Sequence, residues 1–256
     1  MEKWMAVLDF SGVYRQVRFW EEQENTAYLD LTRQQGTNCY CDDEAAEQIR
    51  QKLAGLGPEG IHFLDSGNYH YVTKLWTDLI REPFDLLVLD HHTDMQEPAF
   101  GGILSCGGWL RTILKENPHL GKVYLAGPPR EAAMEDGVSD FGERVFFTDE
   151  EGMRRASWKE LLGGPGARRP LYISLDKDIL CAGEAAVNWD QGEASLEDVF
   201  EVLKAAFALR PVIGVDLCGE NPERMEDEKE FEKANGLNRL FLEAILAWQE
   251  KKCENL

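Results

Sequence analysis

The segment Asp85-Leu-Leu-Val-Leu-Asp90-His-His-Thr-Asp94 sets an apolar run directly before a cluster of carboxylates and imidazoles. A run with no polar alternation is what a strand needs when both of its faces are buried, as under the crossover helices of a parallel sheet. Working outward from it, further strands are predicted over 5–8, 61–64, 122–126, 144–147, 171–175 and 211–217. Between and beyond them, stretches of helical period predict helices over 42–53, 71–80, 108–116, 156–162, 195–209 and 228–251. Asp42 or Asp43 caps the first of these helices, and Ser195 caps the fifth with Asp198 in a capping-box position. Alternation of strand and helix means parallel strands joined by crossovers. The expected architecture is a three-layer α/β/α sandwich with a mainly parallel central sheet, formed by residues 1–256 as a single domain.

Active sites of such sheets lie beyond the carboxyl ends of the strands, and there the sequence concentrates its polar chemistry. Four strand ends are followed by Asp65-Ser-Gly-Asn-Tyr-His70, by Asp90-His-His-Thr-Asp94, by Asp176-Lys-Asp178 and by Asp216-Leu-Cys-Gly-Glu220. In extended backbone, residues two apart share a face, so Asp90, His92 and Asp94 are read as converging, as are Asp176 and Asp178. Asp and His after strands also serve as caps and turn formers. Several carboxylates gathered with imidazoles would repel one another without cations. Mixed oxygen and nitrogen donors suit manganese, iron or zinc. Carboxylates able to bridge imply two ions roughly 3.5–4 Å apart, sharing a water.

Composition limits the partners. The 256 residues carry a formal charge of -20, which repels nucleic-acid phosphates and anionic lipid and leaves room for a cationic small molecule. No apolar run approaches the ~18 residues of a membrane span, and no secretory signal is seen at the start. The six cysteines therefore read as reduced thiols of a cytoplasmic protein. Cys39 and Cys41 have no zinc-knuckle spacing, and Cys106, Cys181 and Cys218 read as small buried residues. Nothing in the long final helix decides the assembly state, so a homo-oligomer stays open.

Three motifs resemble the arginase/agmatinase/formimidoylglutamase superfamily, the ureohydrolases. Ser66-Gly-Asn-Tyr-His70 resembles the family's Gly-Gly-Asp-His motif, Asp90-His-His-Thr-Asp94 its Asp-Ala-His-x-Asp motif, and Ser174-Leu-Asp-Lys-Asp178 its Ser-x-Asp-x-Asp motif. The resemblance implies a binuclear manganese site with His70, Asp90, His92, Asp94, Asp176 and Asp178 as metal ligands. It implies one ion on His70, Asp90, Asp94 and Asp178, and the other on Asp90, His92, Asp94 and Asp176. It further implies a metal-bridging hydroxide that attacks a C–N bond of a guanidino, formimino or related substrate, with Asp94 also accepting a hydrogen bond from the bridging water.

The departures fall on the substrate side. Asp216-Leu-Cys-Gly-Glu220-Asn-Pro222 carries its Glu one position later than the family's Asp-x-x-Glu-x-Asn-Pro, with Gly219 in the family Glu's place. Glu220 is the candidate for pairing with a cationic group. The loop Gly101–Trp109 lacks the family's shuttle His. His91 is the candidate substitute, although strand alternation would pack it behind the site. Asn68, Trp189, Asp190 and Gln191 are candidate pocket residues, and Asp9–Tyr14 a candidate substrate loop. Two other readings are carried forward: a mononuclear zinc deacetylase-type amidohydrolase, for which the His91-His92 pair speaks, and a metal-stabilised binding protein without turnover.

Overall fold

The computed structural model describes residues 5–98, 101–164, 168–224 and 227–253. Its strands are β1 (Met5–Asp9), β2 (Thr26–Asp30), β3 (Tyr40–Cys41), β4 (Gly60–Phe63), β5 (Phe84–Leu89), β6 (Leu104–Ser105), β7 (Leu120–Gly127), β8 (Val145–Asp149), β9 (Leu171–Asp176) and β10 (Val212–Cys218). The helices are α1 (Asp43–Leu53), α2 (Val72–Thr77), α3 (Trp109–Glu116), α4 (Arg130–Glu135), α5 (Glu150–Arg155), α6 (Trp158–Gly163), α7 (Leu196–Leu209) and α8 (Glu228–Cys253). Eight strands form one sheet in the order β2-β1-β4-β10-β9-β5-β7-β8, every neighbour parallel. β3 and β6 make a separate antiparallel pair.

The apolar run that led the sequence reading is the reason for the three layers. In β5, Leu86 and Val88 face one core with α1, α2 and α3, while Leu87 and Leu89 face another with α6, α7 and α8. Alternation on a strand that is apolar throughout forces a helix layer on each face. The α/β/α sandwich with a parallel sheet is thus the observed fold. Asp85 stays buried inside β5 because it is paired: Arg210 Nη2 donates to it at 2.7 Å and Lys122 N at 2.8 Å.

The predicted caps are present. Asp42 accepts from Ala45 N at 2.8 Å, and Ser195 and Asp198 form both bonds of the capping box. Helix α2 is shorter than the predicted 71–80, and α6 starts two residues later than 156. Strand β2 was not predicted; Thr-Ala-Tyr-Leu-Asp is half-buried and pairs only with β1 at the sheet edge, so it needs no apolar run.

Candidate metal centre

β4, β10, β9 and β5 are neighbours at the middle of the sheet, and their carboxyl ends are the four places where the sequence set its carboxylates and imidazoles. The chain does not stay extended there. β5 ends at Leu89, and Asp94 has a left-handed φ of 50°. His92 N donates to Asp90 Oδ1 at 2.6 Å, and His91 N to Asp178 Oδ1 at 2.9 Å. The predicted two-residue alternation therefore does not hold for Asp90, His92 and Asp94; a carboxylate-pinned turn brings them together instead. Asp176 ends β9 and Asp178 lies in the following helical turn, Lys177–Ile179, with Asp178 N donating to Asp176 Oδ1 at 3.0 Å.

The donors fall into overlapping groups whose ligand atoms lie within 4.8 Å of one another: His70 with Asp90 and Asp94, His92 with Asp90 and Asp178, and His70 with Asp176 and Cys218. His70 Nδ1 is 2.9 Å from Asp94 Oδ2, 3.1 Å from Asp90 Oδ2 and 3.6 Å from Asp176 Oδ2. His92 Nδ1 is 2.8 Å from Asp178 Oδ2 and 3.6 Å from Asp90 Oδ1. All six predicted ligands are brought together, but the division between two positions differs from the implied one. Asp178 stands with His92 rather than His70, and Asp176 with His70, because the helical turn after β9 aims the two carboxylates in different directions.

The electrostatics ask for positive charge. His70, Asp90, Asp94, Asp176 and Asp178 are all buried. Asp90 Oδ2 accepts no well-directed hydrogen bond despite its burial, with His70 Nδ1 at 3.1 Å its ion-pair neighbour, a costly state for a carboxylate unless a cation meets it. Burial first, and then the neighbouring carboxylates, push Asp176 and Asp178 above the ordinary range. Burial opposes a charge on His92, yet Asp178 and Asp90 outweigh it and push the ring up to about 12. Hard oxygen donors with two imidazoles fit divalent cations such as manganese or zinc. His70 is also held for ligation: its Nε2 meets Ser174 Oγ at 2.8 Å, which meets Thr73 Oγ1 at 3.1 Å, leaving Nδ1 toward the carboxylates.

Among the predicted substrate and proton-transfer residues the structure divides sharply. His91 lines the cleft beside His92 rather than packing behind it, since the strand has already ended. Its Nδ1 lies 3.7 Å from Glu150 Oε1, and that carboxylate raises the ring's pKa. Glu220 is not among the cleft-lining residues. It is 1% exposed and pairs with the equally buried Lys177, Nζ to Oε1 2.5 Å, while Asn238 Nδ2 donates to the same oxygen at 2.7 Å. A carboxylate already neutralised by a buried ammonium has no charge to offer a substrate. Gly219, in the family Glu's place, turns with φ 95°, and a Cβ there would sit 2.5 Å from Asp176 Oδ1.

Trp189 and Asp190 line the cleft, with Trp189 Nε1 donating to Asn68 Oδ1 at 2.8 Å. Gln191 instead braces its own loop, donating to the Leu180 carbonyl at 2.9 Å. Asp9–Tyr14 forms a latch rather than a substrate loop: Phe10 N and Ser11 N each donate to Asp65 Oδ2 at 2.8 Å. Trp109 was missed by the sequence reading. It is fully buried and donates its indole N–H to Asp94 Oδ2, a contact across fifteen residues that no local pattern announces. The cleft holds about 440 Å³. Tyr40, Trp189, Glu135, Asp136 and Asp190 stand around it, and among the described residues no Lys or Arg lines it.

The fold is similar to that of several solved enzyme structures. The chain resembles agmatine ureohydrolase of Thermoplasma volcanium, at TM-score 0.68 and 17% identity over 99% of this chain and 92% of that one. It resembles formimidoylglutamase of Bacillus subtilis at TM-score 0.68 and 14% identity, over 96% and 86%. It also resembles formiminoglutamase of Trypanosoma cruzi, a structure with Mn2+, at TM-score 0.68 and 14% identity, over 96% and 94%. The fold is that seen in arginase, agmatinase and formimidoylglutamase structures. The chain belongs to the family of an uncharacterised Thermotoga maritima protein, 32% identical over an alignment of 243 positions that covers 93% of this chain and 90% of that one. No family model matches it. No helix among the described residues is long and apolar enough to cross a membrane.

Proposed function

We propose that this protein is a binuclear metal-dependent hydrolase of C–N bonds, acting on a small cationic guanidino or formimino compound in the cytoplasm. The observation that carries the reading is the convergence of the buried or half-buried donors His70, Asp90, His92, Asp94, Asp176 and Asp178, with no well-directed hydrogen bond to Asp90 Oδ2. His70, Asp90, Asp94 and Asp176 would hold one ion, and His92, Asp90 and Asp178 the other, with manganese the first candidate for a carboxylate-rich set. Bound there, two divalent ions supply Lewis acidity and a water that loses its proton near neutral pH. Asp94, held by Trp109, is oriented to accept a hydrogen bond from a water at the site. His91 faces the cleft, where it can pass a proton to a departing amine.

Charge selects the substrate. Two divalent ions offset the four ligand aspartates, which leaves Glu135, Asp136 and Asp190 as the residual charge around a cleft without Lys or Arg. A cation fits this surface, and a substrate bearing its own carboxylate does not. With Glu220 withdrawn, recognition falls to the rim carboxylates and to the exposed faces of Tyr40 and Trp189. A single-ion centre of the deacetylase type would leave one of the two donor groups without its cation.

The test is to load the purified protein with manganese, count ions per chain by mass spectrometry, and screen guanidino and formimino amines for urea, ammonia or formamide release. Two bound ions and release from a carboxylate-free cation support the reading. One ion per chain would move it to the mononuclear class, and two ions with no turnover across the panel would move it to the binding protein.

A further inference from the structure

Cys218 is the last residue of β10, and its Cα partner across the parallel ladder is Asp176, the last residue of β9. The two side chains therefore emerge side by side at the floor of the metal centre. Cys218 is fully buried, and its Sγ lies 2.9 Å from Asp176 Oδ2. Together with His70 it completes a three-donor group of sulfur, nitrogen and oxygen. The chain turns directly afterwards at Gly219, whose N donates to the Asp65 carbonyl at 3.0 Å, so the thiol's direction is fixed by backbone on both sides. Asp90 Oδ2, buried beside the same His70 and accepting no well-directed hydrogen bond, points to a cation in the same centre independently of the thiol.

The spacing fits a shared ion. A sulfur about 2.3 Å and an oxygen about 2.0 Å from one ion lie about 3.0 Å apart at a right angle and about 3.5 Å apart in a tetrahedron. The observed 2.9 Å lies just below that range, so that ligation needs the two atoms to part by a few tenths of an ångström. We infer that Cys218 is a thiolate ligand of the ion beside His70, so that this position prefers a thiophilic ion, zinc or iron(II), over manganese. This inference rests on the metal centre proposed above. Ligation forms one sulfur–metal bond and releases the thiol proton to solvent, with no change of oxidation state. The centre then has two unlike positions: a sulfur-containing one at His70, and an all-oxygen-and-nitrogen one at His92. The competing arrangement leaves the thiol protonated, donating a hydrogen bond to Asp176 without touching the ion.

Cobalt(II) reports the difference. The metal-free protein is titrated with cobalt(II), bound ions are counted by mass spectrometry, and the near-ultraviolet sulfur-to-cobalt charge-transfer band is followed beside the visible d–d bands. The inference expects two bound ions and a charge-transfer band that Cys218→Ser abolishes while the d–d bands persist. Cys106→Ser, at the cleft rim, should leave that band intact. In competition between equimolar zinc and manganese, Cys218→Ser should cut the zinc preference about tenfold or more. Two bound cobalt ions with d–d bands and no charge-transfer band in the unaltered protein would overturn the thiolate ligand while leaving the metal centre standing. Failure to bind cobalt, zinc or manganese at all would overturn the centre and the ligand together. Should Cys218→Ser fold poorly, a charge-transfer band that survives in Cys106→Ser still supports the ligand, and its absence from the unaltered protein still overturns it.

Discussion

Replacing Glu220 by Gln removes one charge from a buried pair and leaves the shape almost unchanged. Lys177 Nζ and Glu220 Oε1 are 2.5 Å apart, with each side chain 2% exposed. The remaining polar partners are neutral: Asn238 Oδ1 at 3.1 Å from Nζ, Asn238 Nδ2 at 2.7 Å from Oε1, and Tyr14 OH at 3.4 Å from Oε1. None of them can replace the carboxylate as a counter-charge for the ammonium. Breaking such a pair from one side costs about 3–5 kcal/mol, because an uncompensated buried charge is left behind. In a chain of this size that corresponds to a melting-temperature drop of about 6–20 °C. Removing both charges, as in Lys177→Met with Glu220→Leu, should restore most of the loss. Urea unfolding followed by circular dichroism, with and without bound metal, compares the unaltered protein, Glu220→Gln and the double variant. A Glu220→Gln protein of unchanged stability whose KM for a cationic substrate rises would refute the reasoning and return Glu220 to substrate recognition.

Asp90 belongs to two of the three donor groups, one around each imidazole, and Asp178 to one. Asp90→Ala should therefore lower the bound ions from two to at most one and take turnover to background, while Asp178→Ala should lose chiefly the ion at His92; equal losses in the two variants would contradict the grouping. Placing an acid where the resembled motif carries one, with Gly219→Glu, should not create arginine hydrolysis, since φ is 95° and a Cβ would meet Asp176 Oδ1 at 2.5 Å. It should instead cost about 1–3 kcal/mol and weaken metal binding, both measurable by thermal unfolding and metal titration. Burial and the Asp9 carboxylate, 2.5 Å from its hydroxyl, push Tyr28 up to about 12. Its folded-state value lies above the unfolded value near 10, so its contribution to stability is full below about pH 10 and is lost as pH rises through about 12. A tyrosinate titration with a component near 12 that vanishes in Tyr28→Phe is expected, and a Tyr28→Phe protein with an unaltered titration would contradict the pairing.

The reading from sequence went furthest where local chemistry is enough. Leu86 to Leu89 had to be buried on both faces, because four consecutive apolar residues in extended backbone leave no side for water. That run, repeated between helical stretches, determined the three layers, and Ser195 with Asp198 determined where α7 begins. The six candidate ligands were legible because strand ends are where an α/β sheet exposes its chemistry. Their partition was not. It depends on a helical turn after β9 and a left-handed Asp94, and neither has a pattern in the neighbouring residues. The edge strand β2 was missed because half-burial leaves its side chains mixed.

Glu220 marks the boundary most clearly. Its position next to Asn221-Pro222 allowed a role at the substrate, and one residue of displacement looked small. In the fold, that one residue turns the carboxylate out of the cleft and toward Lys177, which the sequence places 43 positions away. Trp109 on Asp94 and Cys218 beside Asp176 are of the same kind. The sequence alone determined that carboxylates and imidazoles gather at the carboxyl ends of parallel strands, since those are properties of residue type and period. Which side chain points at a cation, which at a neighbour and which at a substrate was decided by packing between distant segments, because direction is set by the turn and its partners rather than by the residue itself.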